Sequence, residues 1–203
     1  PMAAALAMKK VPPYDPVADF TPITDVGRYT FFLYVYSGLP IKTFQELIAH
    51  AKANPGKLNY ATGNTTGIVS FAQMNSLTGI EMTHVPYKGE PQGITDLVTG
   101  RVHVMWATPT TGLAHVKDGK LRALATNLKA RSPLLPEVPT MTEVGVPQYS
   151  VVSWAALYGP AKMPRELQVR INKEFTDAMK RPEVIAAMDK QAFALNPTTP
   201  EEL

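Results

Sequence analysis

The chain has 203 residues, of which 45% are hydrophobic, so it can bury a substantial core in one domain or two small lobes. Its 20 basic and 17 acidic residues give a formal charge of +3, and no basic run is longer than Lys9-Lys10, which argues against a nucleic-acid groove or a polybasic membrane anchor. The absence of cysteine excludes disulfides, thiol catalysis and cysteine-ligated metals, and no apolar run reaches the roughly 18 residues of a membrane span.

The N-terminal segment is predicted to be a connector. Residues 1–18 combine a short alanine-rich helical piece with the prolines of Val11–Pro16, which force an extended or turning path. The opening peptide lacks the basic start and the apolar core of a signal peptide, and a chain that begins with Pro is expected to have lost its true start. The helix that begins at Pro200 is cut short, so we expect the C-terminus to be truncated too.

Two strands and a capped helix are predicted next. Phe20–Val26 and Phe31–Tyr36 are rich in the aromatic and β-branched residues that strands favour. Thr43–Glu46 has the spacing of a capping box, in which the first and last residues satisfy each other's backbone donors. The helix that follows is expected to end at Asn54–Gly56.

From residue 58 the chain alternates strands with helices. Strands are predicted at Leu58–Thr62, Met82–Pro86, Val102–Ala107 and Leu121–Thr126, and helices from the Thr65 region to about Leu77, over Glu90–Val98 and over Thr111–Val116. This alternation indicates a parallel α/β sheet, in which the C-terminal ends of the strands and the N-termini of the helices open on one side, where ligands bind. We call the three loops on this side, Gly63–Thr66, Tyr87–Glu90 and Ala107–Thr110, the loop edge, and we expect them to converge on one small molecule.

The first loop of the loop edge is the stretch most suited to hold a ligand. It leads into a helix whose apolar face begins at Ile68. The N-terminus of such a helix has unpaired N–H groups and a partial positive charge, and Thr65 and Thr66 add two hydroxyls, so a carboxylate or phosphate could be held without a charged side chain. The alternative is an ordinary N-cap, in which Thr65 or Thr66 only satisfies its own helix.

The C-terminal part is predicted to contain one long strand and two helices. Tyr149–Tyr158 forms an extended segment around Trp154, long enough to cross between two lobes. Helices begin at Pro164 and Pro182. The first of them is amphipathic, and the residues expected to face inward are Leu167, Ile171, Phe175 and Met179.

The sequence contains no complete catalytic or metal-binding pattern. It has no G-x-S-x-G elbow, no P-loop and no dinucleotide glycine fingerprint, and its four histidines form no H-x-x-x-H pair. His84 and His103 lie in predicted strands and are expected to be hydrogen-bonded core residues. Lys88 is either an anion-binding or Schiff-base lysine or a solvated loop residue. No catalytic residue, metal site or cofactor is therefore predicted.

Several short motifs occur in a fixed order along the chain. They are Asp19–Pro22, Asn54–Tyr60, Val85–Gly89, Asp96–Gly100, Gly119–Ala125, Arg131–Thr140 and Glu143–Pro147. In this order they resemble the Bug-type substrate-binding proteins of tripartite tricarboxylate transporters, and the resemblance runs from Tyr14 to the end of the chain. The family often has glycine at the position of Thr65 and histidine at that of Val69, so the first loop departs from the family pattern.

The resemblance implies an α/β, periplasmic-binding-protein-like bilobal fold from which the front part of lobe one is absent. Residues 1–37 would be partial lobe one with a connector, residues 38–150 lobe two with the parallel βα units, and residues 151–203 a return to lobe one with the C-terminal helices. The protein would be a periplasmic solute receptor that binds a small carboxylate between its lobes and delivers it to membrane permease subunits, without catalysis, cofactor or nucleic acid. The ligand-binding residues expected at the loop edge are Gly63, Asn64, Thr65, Thr66, Tyr87, Lys88, Ala107 and Thr108.

Two other functions remain open. The alternative is a small α/β enzyme acting on a carboxylate substrate, and the third is a structural or sensory partner protein that kept the fold without the ligand. Because the front of lobe one is expected to be absent, Phe31–Tyr36 and the helix of Leu167 are predicted to expose apolar surface. The chain is therefore predicted either to self-associate through truncated lobe one or to be weakly stable.

Overall fold

A computed structural model describes residues 10–203 of the chain. The alanine-rich helical piece predicted at the start of the chain lies outside these residues. The described residues divide into two compact units: unit 1 consists of residues 10–29 and 154–203, and unit 2 of residues 30–153. Within residues 10–203, no helix is both long enough and apolar enough to cross a membrane.

Unit 2 is built on a five-stranded mixed sheet. Its strands are β2 (Phe32–Tyr36), β3 (Asn59–Thr62), β4 (Thr83–Pro86), β5 (Val104–Ala107) and β6 (Leu121–Thr126), in the spatial order β4-β3-β5-β2-β6. β3 pairs in parallel with β4 and β5, as the alternation of strands and helices predicts. β2, which the predicted boundaries place in lobe one, instead joins this sheet and is antiparallel to both β5 and β6.

β2 is deeply buried in the sheet of unit 2. Phe32, Leu33, Tyr34 and Val35 are all 0% exposed, because β5 and β6 flank the strand and helices cover both faces of the sheet. The prediction that Phe31–Tyr36 exposes an apolar face is therefore wrong. The compact units divide at residues 29/30 and 153/154, which differs from the predicted lobe boundaries at 37/38 and 150/151 and keeps β2 with the sheet it completes.

Four helices pack on the sheet of unit 2. α1 (Phe44–Ala53) and α2 (Thr65–Thr78) cover one face, whereas α3 (Glu90–Val98) and α4 (Pro109–Lys117) cover the other. The capping box of α1 is confirmed: Glu46 N–H donates to Thr43 Oγ1 at 3.2 Å, and Thr43 N–H donates to Glu46 Oε2 at 3.3 Å. Because β4, β3 and β5 are parallel neighbours, their connections to α3, α2 and α4 leave the sheet on the same side, which places the three loops of the loop edge next to one another.

Unit 1 contains a three-stranded sheet and two helices. The strands β1 (Phe20–Tyr29), β7 (Ser153–Pro160) and β8 (Phe193–Leu195) lie in the order β7-β1-β8, and the helices are α5 (Arg165–Met179) and α6 (Pro182–Asp189). Gly27–Tyr29 of β1 pair antiparallel with Phe193–Leu195 of β8.

The face that α5 presents to β1 is largely polar. Gln168 Nε2 donates to the carbonyl of Pro22 at 2.6 Å, and Asn172 Nδ2 donates to the carbonyl of Ile23 at 2.7 Å. Met179 is buried as predicted, but Leu167 and Phe175 are 37% and 43% exposed. The inward orientation predicted for these two residues is therefore wrong, because the two amide side chains occupy the side of the helix that faces the strand.

Candidate functional site

Glu90, the first residue of α3, joins the three loops of the loop edge. Asn64 Nδ2 of the first loop donates to Glu90 Oε1 at 2.7 Å. Thr108 of the third loop donates to Glu90 Oε2 twice, from its N–H at 3.0 Å and from its hydroxyl at 2.7 Å, and Thr111 Oγ1 donates to the same oxygen at 3.0 Å. We call Glu90 with Asn64, Thr108 and Thr111 the Glu90 junction. The loops meet, but the group at their meeting point is a carboxylate of the protein itself.

Gly63 allows the first loop to pack directly against the N-terminus of α3. A Cβ at this position would lie 2.4 Å from the backbone nitrogen of Glu90 and 2.5 Å from the carbonyl carbon of Gly89. Asn64, next in the chain, has the extended angles φ −162° and ψ 170°. The glycine is therefore needed because there is no space for a side chain, and not because the backbone takes a positive φ angle.

Asn64 is the N-cap of α2. Its Oδ1 accepts the Gly67 N–H at 2.8 Å, while its carbonyl accepts the Ile68 N–H at 3.3 Å. The hydroxyl of Thr66 instead lies 3.2 Å from Ser153 Oγ, also in unit 2. The alternative in which Thr65 or Thr66 caps the helix is therefore wrong, and within residues 10–203 neither threonine N–H has a hydrogen-bond acceptor.

The N-termini of the three helices differ in their ability to receive an anion. The first turn of α2 contains no acidic residue and no proline. In α3 the first two residues are Glu90 and Pro91, so one backbone donor is missing and a negative charge is present. In α4 the first residue is Pro109, and the preceding N–H of Thr108 is bonded to Glu90. Of the three, α2 has the N-terminus best suited to an external anion.

The remaining predicted site residues are placed differently. Tyr87 OH donates to Asp96 Oδ2 at 2.8 Å, so the hydroxyl is directed along α3. Burial, and then this hydrogen bond, raises the pKa of Tyr87 to about 12, and the same bond holds the pKa of Asp96 below its usual value. Ala107 is 0% exposed in β5, whereas Lys88 is exposed. The structure thus brings Gly63, Asn64 and Thr108 to the Glu90 junction. Within the described residues, the side chains of Tyr87, Lys88 and Ala107 form no hydrogen bond with it.

Tyr34 of β2 is a buried residue whose pKa depends on the charge of Glu90. Its ring packs under α4, where a Cβ at Gly112 would lie 2.4 Å from the ring. Burial raises the pKa of Tyr34 above its usual value, and the negative charge of Glu90 raises it further. Within the described residues, the buried hydroxyl of Tyr34 has no hydrogen-bond partner. The Glu90 charge therefore also disfavours ionisation of a tyrosine buried in the core of unit 2.

Glu90 and Thr111 are the site residues that the sequence reasoning missed. Glu90 is the only acidic residue within the three loops, and the third loop and the start of α4 contain three threonines, at 108, 110 and 111. A single carboxylate opposite a run of hydroxyls was the available signal. Its meaning depended on knowing that the second and third loops are close in space, which the hydrogen bonds across 18 and 21 residues establish.

Comparison with known proteins identifies the family. Residues 2–201 match the family described as "Tripartite tricarboxylate transporter family receptor". The chain belongs to this receptor family. The resemblance to Bug-type proteins is therefore confirmed, and the family is one of transporter receptors rather than of enzymes.

Individual members of the receptor family are similar along nearly the whole chain. BugT of Bordetella pertussis is 30% identical over 100% of this chain and 63% of its own length. Among solved structures, R. palustris Rpa4515 with adipate is 29% identical with a TM-score of 0.86, over 95% of this chain and 65% of that one. MatC from Rhodopseudomonas palustris with bound malate is 25% identical with a TM-score of 0.83, over 95% and 66%. The periplasmic-binding-protein-like α/β fold is confirmed, and the chain spans less than two thirds of each relative.

Proposed function

We propose that the protein is the receptor of a tripartite tricarboxylate transporter and that it binds a small carboxylate at the loop edge of unit 2, without performing chemistry on it. The observation that carries the proposal is the N-terminus of α2. Asn64 supplies the cap, so the N–H groups of Thr65 and Thr66 remain available for a ligand. The Thr66 hydroxyl contacts Ser153 Oγ at 3.2 Å and would share or exchange that hydrogen bond on binding. The similarity to a protein solved with adipate and to one solved with malate supports a carboxylate as the ligand.

The N-terminus of α2 has the chemistry that a carboxylate requires. The aligned peptide dipoles give it a partial positive charge, and each charge-assisted hydrogen bond to an anion contributes about 1.5–3 kcal/mol. In this proposal Thr65 and Thr66 contact the anion, while Gly63 and Asn64 shape the loop that presents them. Lys88 adds an exposed positive charge near the loop edge, and Thr108, held by Glu90, fixes the neighbouring loop. Tyr87 and Ala107 would act through their backbone positions.

The remaining parts of the proposal follow from the family. Its members are receptors of tripartite transporters, so we propose that the protein is periplasmic and delivers its ligand to membrane permease subunits. Self-association through unit 1 stays a prediction, for which the exposed side chains of Leu167 and Phe175 on α5 are the surface to be tested.

Thermal shift and calorimetric titration test the proposal. A panel of mono- and dicarboxylates should raise the melting temperature, whereas the matching amides and esters that carry no carboxylate should not. Native mass spectrometry of protein purified without added ligand should detect a retained carboxylate. Binding of neutral sugars or free amines in preference to carboxylates would contradict the proposal, and turnover of a bound carboxylate would favour the enzyme alternative.

A further inference from the structure

The carboxylate of Glu90 occupies the hydrogen-bond donors at the start of α4. It accepts the Thr108 N–H, the Thr108 hydroxyl and the Thr111 hydroxyl on one oxygen and the Asn64 amide on the other. Three donors therefore meet at Oε2 and one at Oε1, which uses most of the accepting capacity of the carboxylate. Within residues 10–203, no ion pair involves Glu90. Its negative charge is therefore satisfied by neutral donors and is not cancelled by a cation.

A single side chain separates this charge from the N-terminus of α2. Asn64 Oδ1 accepts the Gly67 N–H at 2.8 Å, while Asn64 Nδ2 donates to Glu90 at 2.7 Å. A carboxylate bound by Thr65 and Thr66 would thus lie one amide group away from the carboxylate of Glu90. A second ligand carboxylate directed toward the Glu90 junction would meet a like charge and would find the donors of Thr108 and Thr111 already in use.

We propose that Glu90 is a built-in anion that makes the loop edge select ligands with one carboxylate over short dicarboxylates. The inference rests on the proposed function, because it assumes that the first carboxylate binds at α2. The group of the ligand that faces Glu90 is then neutral and able to donate a hydrogen bond, such as a hydroxyl or an amide. Glu90 acts in this proposal as a specificity-determining residue, and it does so by excluding a charge.

Succinate and succinamate are suitable probes, because they differ only in the replacement of one carboxylate by an amide of the same shape. Calorimetric titration of the wild-type protein is expected to give a Kd for succinate about tenfold higher than that for succinamate, in the range that like charges near a surface produce. Adipate and adipamate provide the same comparison at a longer spacing, where the second group can avoid the junction and the ratio is expected to be smaller.

Two variants and one control assign the effect to Glu90. Glu90→Gln removes the charge while keeping the shape, and Glu90→Ser removes the side chain as well; in both the succinate-to-succinamate ratio is expected to fall to about two or less. Glu46→Gln is the matched control, since Glu46 is also a helix-capping carboxylate of unit 2 but caps α1. It should keep the wild-type ratio. Thermal melts without ligand verify that each variant is folded.

The outcomes separate this inference from the proposed function. Equal affinities in the wild-type protein, or tighter binding of succinate, would overturn the role of Glu90 while leaving the receptor function intact. A preference for succinamate that persists in a folded Glu90→Gln protein would overturn it as well, because the charge would not be its cause. If none of the four probes binds, the carboxylate receptor function itself fails, and the inference fails with it.

Discussion

Gly63→Ala tests the contact that holds the first loop of the loop edge against α3. The added Cβ would lie 2.4 Å from Glu90 N and 2.5 Å from the carbonyl carbon of Gly89. Non-bonded heavy atoms prefer separations of about 3.5–4 Å, so the two segments would have to move apart by about 1 Å. Both neighbours are backbone atoms, and no side-chain rotation can relieve the clash.

The expected cost of Gly63→Ala follows from two effects. Forcing an extra carbon into a filled space typically costs about 1–3 kcal/mol. Separating the segments also stretches the 2.7 Å bond from Asn64 to Glu90, and a hydrogen bond to a charged group contributes about 1.5–3 kcal/mol. The movement that weakens the hydrogen bond also relieves part of the overpacking, so the two costs do not add in full. We expect the free energy of unfolding to fall by about 2–4 kcal/mol. Urea denaturation followed by far-ultraviolet circular dichroism measures this change.

Gly67→Ala is the control for the same substitution a few residues further along the chain. A Cβ at Gly67 meets its nearest neighbour at 3.6 Å, an ordinary contact, and the residue lies in α2. Alanine favours a helix over glycine by about 0.5–1 kcal/mol, so this variant should be as stable as the wild type or more so. If Gly63→Ala costs less than about 0.5 kcal/mol, the first loop does not pack on α3 as described, and the reasoning about the Glu90 junction is refuted.

Three further predictions concern the site and the core of unit 2. Thr66→Ala should raise the Kd for the carboxylate ligand about five- to thirty-fold by titration, but should change the free energy of unfolding by less than about 0.5 kcal/mol, because Asn64 and not Thr66 caps α2. Asn64→Asp keeps a good cap but places a second carboxylate beside Glu90, so it should be about 1–2 kcal/mol less stable than Asn64→Ser, with a smaller difference at high salt. Burial, and then the charge of His50, lowers the pKa of His103 below its usual 6.5, and His103 Nδ1 accepts the Asn59 N–H at 2.8 Å. The unfolded chain therefore binds the proton more readily than the folded chain. The contribution of neutral His103 to the free energy of unfolding should be fully present above about pH 6.5 and should be lost as the pH falls below it. Urea midpoints measured from about pH 7.5 to 5 should decline less in His103→Gln than in the wild type.

Local patterns predicted much of unit 2. The capping box at Thr43 and Glu46 needs only residues three apart, and α3 begins and ends at Glu90 and Val98 as its periodicity indicates. The alternation of strands and helices from residue 58 also placed the three loops on one side of the sheet, because parallel neighbouring strands leave no other arrangement. In each case the information lies within one element or between consecutive elements.

Contacts between distant residues escaped the sequence reasoning. A strand pattern at Phe31–Tyr36 does not reveal whether its partners are near or far in the chain, and β2 pairs with β5 and β6 about 70 to 90 residues later. The inward orientation of Leu167 and Phe175 was mispredicted for a related reason. The hydrogen bonds from Gln168 and Asn172 to β1 determine which side of α5 faces the strand, and apolar periodicity does not contain them.

The position of β2 also dictates when unit 2 can be completed during synthesis. This strand leaves the ribosome before any other strand of its sheet, but both of its neighbours, Val104–Ala107 and Leu121–Thr126, are made much later. In the interval the β3–β4 pair can form, while four apolar or aromatic residues that end with no exposure have no place to be buried. The nascent chain is therefore most prone to aggregation after residue 36 has been synthesised and before residue 121 has been. Its slow folding step is the insertion of β2, the first strand of the sheet to be made, between β5 and β6, the last two.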